Sequence, residues 1–144
     1  PGSAVDLNHG AESADFGMMV PLFNLVYHDA VVCYWQHGQP FGREDHVNHV
    51  LHDLLSAQPS SWSLIYEQWE DLKPLIWQCY DLLGRLHART AFCDMVSHEY
   101  VTPDFEVHRT TFSDGTTVSV NFDIRSHACG DIMLAPKGFC IVEG

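Results

Sequence analysis

The sequence predicts an α+β fold: one stave of a (β/α)8 barrel with about three helices, then a small antiparallel β-unit. Three observations predict it. Residues 20–27, Val-Pro-Leu-Phe-Asn-Leu-Val-Tyr, are apolar on both faces of an extended chain, which suits a strand covered on both sides. Apolar residues then recur at helical spacing from Val47 to Leu86. From Met95 onward the pattern shortens to period two, with turn residues between the runs. Helices first and antiparallel strands after imply two packing units, with a boundary near residue 94. The first spans residues 1–94 and the second residues 95–144.

Residues 1–19 carry Gly2, Gly10 and Gly17 without periodicity and read as an irregular loop. The strand follows from Val20 to Tyr27, with Pro21 near its first position, where a missing N–H is tolerated. No second strand of this both-faced kind occurs, so its neighbours are expected outside the chain. The strand ends in His28-Asp29, a polar pair where barrel enzymes place substrate-contacting residues. Residues 33–40, Cys-Tyr-Trp-Gln-His-Gly-Gln-Pro, read as an aromatic and polar loop.

Val47, Val50, Leu51, Leu54 and Leu55 match one helical face, with Glu44 and Asp45 near its positive end. Gln58-Pro59-Ser60-Ser61 breaks that helix and offers a serine cap to the next. Trp62, Ile65, Tyr66, Trp69 and Leu72 form a second stripe. Leu75, Ile76, Cys79, Leu82, Leu83 and Leu86 form a third. Pro74 between them suits only a first turn or a kink. Strands are expected at residues 95–101, 105–112, 117–122, 132–134 and 139–142, with a hairpin turn at Ser113-Asp114-Gly115-Thr116.

The chain has 144 residues, 46% of them hydrophobic and 12% aromatic, which excludes a disordered chain. A formal net charge of −12 argues against nucleic acid or an anionic membrane as partner, because phosphate binding needs clustered Lys and Arg. Five cysteines, odd in number and without CxxC spacing, read as reduced and partly core-filling. The start, Pro1-Gly2-Ser3-Ala4, lacks a basic region followed by an apolar one, and without Met it reads as a processed product or a piece of something longer. The compartment is not readable from such a chain.

Val20-Pro-Leu-Phe-Asn-Leu-Val-Tyr-His-Asp29 resembles the last barrel strand of the endo-α-N-acetylgalactosaminidase-like glycoside hydrolases. Met95-Val-Ser-His-Glu-Tyr-Val-Thr-Pro-Asp104 and Val107-His-Arg-Thr-Thr-Phe-Ser-Asp-Gly-Thr-Thr-Val-Ser-Val-Asn-Phe122 resemble the start of the β-sandwich that follows their barrel. Pro136-Lys-Gly-Phe139 is similar to the closing strand of such a module. The resemblance spans residue 17 to the end. It implies a C-terminal portion of a retaining glycoside hydrolase acting on α-linked (amino)sugars. Such enzymes use two carboxylates about 5–5.5 Å apart. No position here matches those carboxylates, so no catalytic residue is assigned and the isolated chain is expected to be inactive. It also implies that Asp29, with His28 beside it, holds sugar hydroxyls. Tyr34 and Trp35 in the following loop are candidates for stacking on the sugar's C–H face. No cofactor and no metal are expected. The expected partners are carbohydrate and either the rest of a barrel or another copy of the chain. The alternative is a stand-alone carbohydrate-binding or self-association module.

Other chemistry-bearing residues have plainer readings. His46, His49, His52 and Asp53 lie on a helix at steps of three, which spreads the imidazoles over a broad arc and suggests a solvated polar face. His98 and Glu99 point to opposite faces of a strand. Glu67, Glu70 and Asp71 read as the wet side of a helix. Cys93 and His98 lack a visible base or oxyanion hole between them. Trp62, Trp69 and Trp77 read as core or interface, and exposed copies of them would favour oligomerisation.

Overall fold

A computed structural model describes residues 20–38 and 43–144. The loop expected over residues 1–19 and the end of the loop at Gln39-Pro40 lie outside the described residues. So do the side chains of Trp35, Glu44 and Asp45.

The segment expected to be a strand is a helix. α1 spans Leu22–Tyr27, with Pro21 at its start and Leu25 N donating to Pro21 O at 2.9 Å. Phe23 and Tyr27, four apart, bring their rings to 5.2 Å. Leu25 packs on the core and Asn24 Nδ2 donates to Ser56 Oγ. A short apolar run cannot be assigned to strand or helix by periodicity alone. A strand here needs neighbouring strands to satisfy its backbone, whereas a helix satisfies its own. Val20, Leu22, Val26, Tyr27, Val31, Val32 and Tyr34 all remain exposed.

Strand structure in this half lies instead at β1, Trp35–Gly38, and β2, Ser60–Ser63, which pair in parallel. Between them runs α2, Arg43–Leu55. Parallel strands need a crossover, and this helix lies within it. α2 buries Leu51, Leu54 and Leu55 as the periodicity predicts. Its histidines do not form a solvated face: His46 is 2% exposed, His49 9%, and Asp53 is fully buried. The reason is packing from several sides, since α2 touches β1, the C-terminal sheet and the following helix. The helix ends with Ala57 at φ 48°, where Ala57 N bonds Leu54 O and Gln58 N bonds Asp53 O. That is the left-handed termination usually given to glycine.

The second and third stripes do not make two helices. Trp62 lies in β2 and Tyr66 in a 3-10 turn, Tyr66–Gln68, which leads into one long helix, α3, Trp69–Thr90. Pro74 falls early in α3, where its missing N–H removes only one backbone bond beyond the orphans of the first turn. α3 buries Cys79, Leu83, Leu86 and Thr90 on one face. On the other, Trp77 and Tyr80 are 72% and 70% exposed and stack at 5.8 Å.

The C-terminal half follows the expected pattern. β3 (Met95–Tyr100), β4 (Val107–Phe112), β5 (Thr117–Asn121) and β8 (Phe139–Val142) form an antiparallel sheet in that order. β6 (His127–Cys129), which periodicity does not reveal, pairs with β7 (Ile132–Leu134) as a separate hairpin. The β4–β5 turn carries Gly115 at φ 87°, and Asp114 accepts from Thr116 N at 2.8 Å. Arg89, at the end of α3, reaches Asp114, Thr116 and Glu143, tying helix to hairpin. Phe112, Val118 and Val120 meet α2 and α3 on the inner face of the sheet in one core. Val107, Cys129 and Leu134 form a second cluster beneath the β6–β7 hairpin on the outer face. Among the described residues, no helix is long and apolar enough to cross a membrane.

Candidate functional site

His28 and Asp29 stand in the turn directly after α1. The His28 ring is half-buried and faces inward. Its Nδ1 lies 2.8 Å from Cys93 O, its Nε2 lies 2.9 Å from Ser56 O, and its ring centroid is 4.9 Å from Phe112. Both nitrogens are therefore engaged with carbonyl oxygens. The ring ties the turn to the end of α2 and to the α3–β3 junction. Asp29 is exposed beside it. Tyr34 is exposed on the extended segment that follows, and Trp35 opens β1, its backbone in register with Ser60. Thus the turn is anchored through one of its two polar residues while the other is left to solvent.

A larger constellation lies on the inner face of the sheet. Residues directly opposite on antiparallel strands share a face, so His98 joins Thr110 there and Tyr100 joins His108. His108 packs on Tyr100 at 4.5 Å, on Phe122 at 4.8 Å and on His98 at 5.3 Å. From α2, His52 meets Phe122 at 4.6 Å. Burial pushes His52 down to about 3, and the neighbouring His108, His49 and His98 add to this by like-charge repulsion. Burial pushes His108 down to about 4, against the opposing pull of the Phe105 carbonyl. His98 is lowered by burial as well. These imidazoles are neutral at ordinary pH. Set edge-on or tilted against neighbouring rings, they bridge α2 to the sheet. The sequence holds a signal for this in residues 108, 110 and 112, which alternate onto one face, but the contribution from α2 needs the tertiary packing.

Near the end of β5, Asp104, Asp123 and His127 bring one donor atom each to within 4.8 Å of one another. Arg125 already serves them as cation: Nε lies 2.7 Å from Asp123 and Nη2 4.0 Å from Asp104. His127 Nε2 lies 2.7 Å from Asp123 Oδ2. The His127 hydrogen bond, followed by that of Arg125, holds Asp123 down to about 2. The group acts as a clasp on the loop between β5 and β6. His98 and Glu99 point to opposite sides as predicted, Glu99 lying 3.7 Å from Arg109 on the outer face.

No family model matches the chain, and no curated protein matches it. Solved structures do. The complex of α-N-acetylgalactosaminidase NagBb from Bifidobacterium bifidum with GalNAc matches 78% of this chain at 29% identity, with a TM-score of 0.60. A quadruple mutant of that protein matches 80% at 31% identity with a TM-score of 0.56, and the ligand-free form 80% at 31% with 0.55. In each case the chain spans 18% of the length of that protein. The chain is therefore similar to a partial region of a glycoside hydrolase, at a level of identity where sequence and fold agree.

Proposed function

We propose that this chain is a C-terminal portion of a glycoside hydrolase acting on α-linked (amino)sugars, and that it contributes sugar contact and structural support but not the catalytic carboxylates. The observation that carries this reading is the match of 78–80% of the chain to a stretch of an α-N-acetylgalactosaminidase several times longer. Two features support it. The order β1–α2–β2–α3, with β1 and β2 parallel, is the alternation from which (β/α)8 barrels are built. The apolar residues around α1 and on the outer side of α3 are exposed, as expected of surfaces that face further chain. In this reading residues 1–94 derive from the barrel and residues 95–144 from the β-module behind it. Asp29 accepts from sugar hydroxyls while His28 anchors its turn, and Tyr34 and Trp35 offer aromatic faces to the ring's C–H side. The narrower family, the endo-α-N-acetylgalactosaminidase-like glycoside hydrolases, is part of the same proposal.

Calorimetric titration of the chain with N-acetylgalactosamine and galactose tests the binding role. Weak binding that Asp29→Ala and Trp35→Ala each reduce supports it. Equal binding by all three proteins overturns the assignment of those residues. Assay on aryl α-glycosides tests the enzymatic half: no turnover is expected, and turnover that persists through purification overturns the claim that the carboxylates lie elsewhere. A second reading, a self-associating module, is favoured by the stacked and exposed Trp77 and Tyr80. Light scattering that finds a clean monomer at high concentration counts against it.

A further inference from the structure

The outer face of the sheet holds Arg109, Ser119 and Cys140 in one cross-strand row. Arg109 is opposite Ser119 across β4–β5, and Ser119 is opposite Cys140 across β5–β8. Such neighbours place their Cβ atoms about 4.5–5.5 Å apart on the same side. The β6–β7 hairpin folds over this row and brings a second thiol to it. Arg109 Nη2 donates to Cys129 Sγ at 2.9 Å while its Nε donates to Ser119 Oγ at 3.2 Å. Cys129 and Cys140 belong to the same outer cluster, with Val107 and Leu134 between the layers. Both also line one open cavity of about 200 Å³. Cys129 is 5% exposed, whereas Cys140 is only half-buried.

We propose that Cys129 and Cys140 are a redox-active thiol pair that exchanges with low-molecular-weight disulfides, with Arg109 as its positioning residue. The half-buried sulfur engages first. The Cys140 thiolate attacks the external disulfide, forming a mixed disulfide and expelling one small thiolate. Cys129 Sγ then attacks the Cys140 sulfur, expelling the second small thiolate and closing the protein disulfide. Two electrons pass from the protein pair to the external disulfide, and the two thiol protons end on the two departing thiols. The attacking species in each step is a thiolate. The guanidinium N–H of Arg109 stands at the sulfur where that charge resides in the second step. The product ties the hairpin to edge strand β8. Sequence spacing holds no signal for this pairing, which arises from the register of β4, β5 and β8 and the fold of the hairpin over them.

The test incubates the full chain with excess oxidised glutathione, blocks remaining thiols with N-ethylmaleimide, digests with trypsin without reduction, and maps linked peptides by mass spectrometry. The expected product joins the peptide Ser126–Lys137 to the peptide that begins at Gly138. Arg109→Gln is expected to slow closure by about tenfold and to change its pH dependence, and Arg109→Lys to recover part of the rate. Cys140→Ser is expected to leave Cys129 largely free of glutathione, because its sulfur is buried. Failure to recover the linked pair from the unaltered chain overturns the proposal, and so does linkage spread evenly over Cys33, Cys79 and Cys93. A rate unchanged in Arg109→Gln overturns the role of the arginine.

Discussion

Val118 and Val120 on β5 are fully buried, whereas Val26 and Val32, residues of the same type beside α1, are each 60% exposed. Chemistry does not separate them; the elements around them do. β5 has a strand on each side, α2 on its inner face and the β6–β7 hairpin toward its outer face. The stretch from Val20 to Tyr34 has the core on one side and solvent on the other. The contrast teaches that the C-terminal half completes its packing from its own residues and from α2 and α3. Among the described residues, the N-terminal half keeps an apolar surface exposed around α1.

The largest effects should therefore fall on the sheet. Phe112→Ala removes a buried ring that contacts His28 and the helices, and should cost about 3–5 kcal/mol in urea unfolding. A loss below about 1 kcal/mol would break the comparison. Acid comes next. His52, His108 and His98 have folded pKa values below their ordinary 6.5, so the neutral form is favoured in the fold. Their contribution is fully present above pH about 6.5 and is lost as pH falls toward about 4 for His108 and about 3 for His52. The unfolding free energy followed from pH 7 to pH 4 should fall by about a few kcal/mol, and a His108→Phe, His52→Leu double variant should flatten that slope. A slope unchanged in the variant would remove the cluster from the account.

Asn121 offers an intermediate test. Its buried amide donates to Arg125 O at 2.7 Å and Ala135 O at 2.8 Å, and its Oδ1 accepts from Asp123 N. Asn121→Ala should cost about 2–3 kcal/mol, because carbonyls are left unsatisfied. The outer side of α3 should behave in the opposite way. Trp77→Ala with Tyr80→Ala should change stability by no more than about 0.5 kcal/mol while lowering the apparent mass seen by light scattering at high concentration. The smallest effect belongs to Arg85→Ala. Its pair with Asp81 at 2.7 Å is well exposed, and double-mutant analysis should give about 0.3–0.5 kcal/mol.

What was legible in the sequence follows the same division. The β-half announces itself through alternation, as in β4, where His108, Thr110 and Phe112 are buried and Arg109 and Thr111 between them are less so. The turn at Asp114-Gly115 is legible because its positive φ requires glycine. α2 and α3 are legible through their leucines. The stretch from Leu22 to Tyr27 is not, because a run of six residues, five of them apolar, fits strand and helix equally and the decision rests on neighbours. The burial of His46 and His49 is hidden for a related reason: polar residues mark a wet face only where nothing packs on it. Of the candidate site, the adjacency of His28 and Asp29 could be read directly. That His28 turns inward to two carbonyls could not, since Cys93 and Ser56 are distant in sequence.

The ladder formed by Trp35–Gly38 and Ser60–Ser63 has only two members. Among the described residues, each has a flank whose amide and carbonyl groups meet no further strand. Such flanks are templates for whatever extended peptide arrives first. On the proposed reading the rest of the barrel precedes this chain, so the adjoining strands are already made when these two emerge, and docking onto them closes both rims before a strand of another molecule can add there.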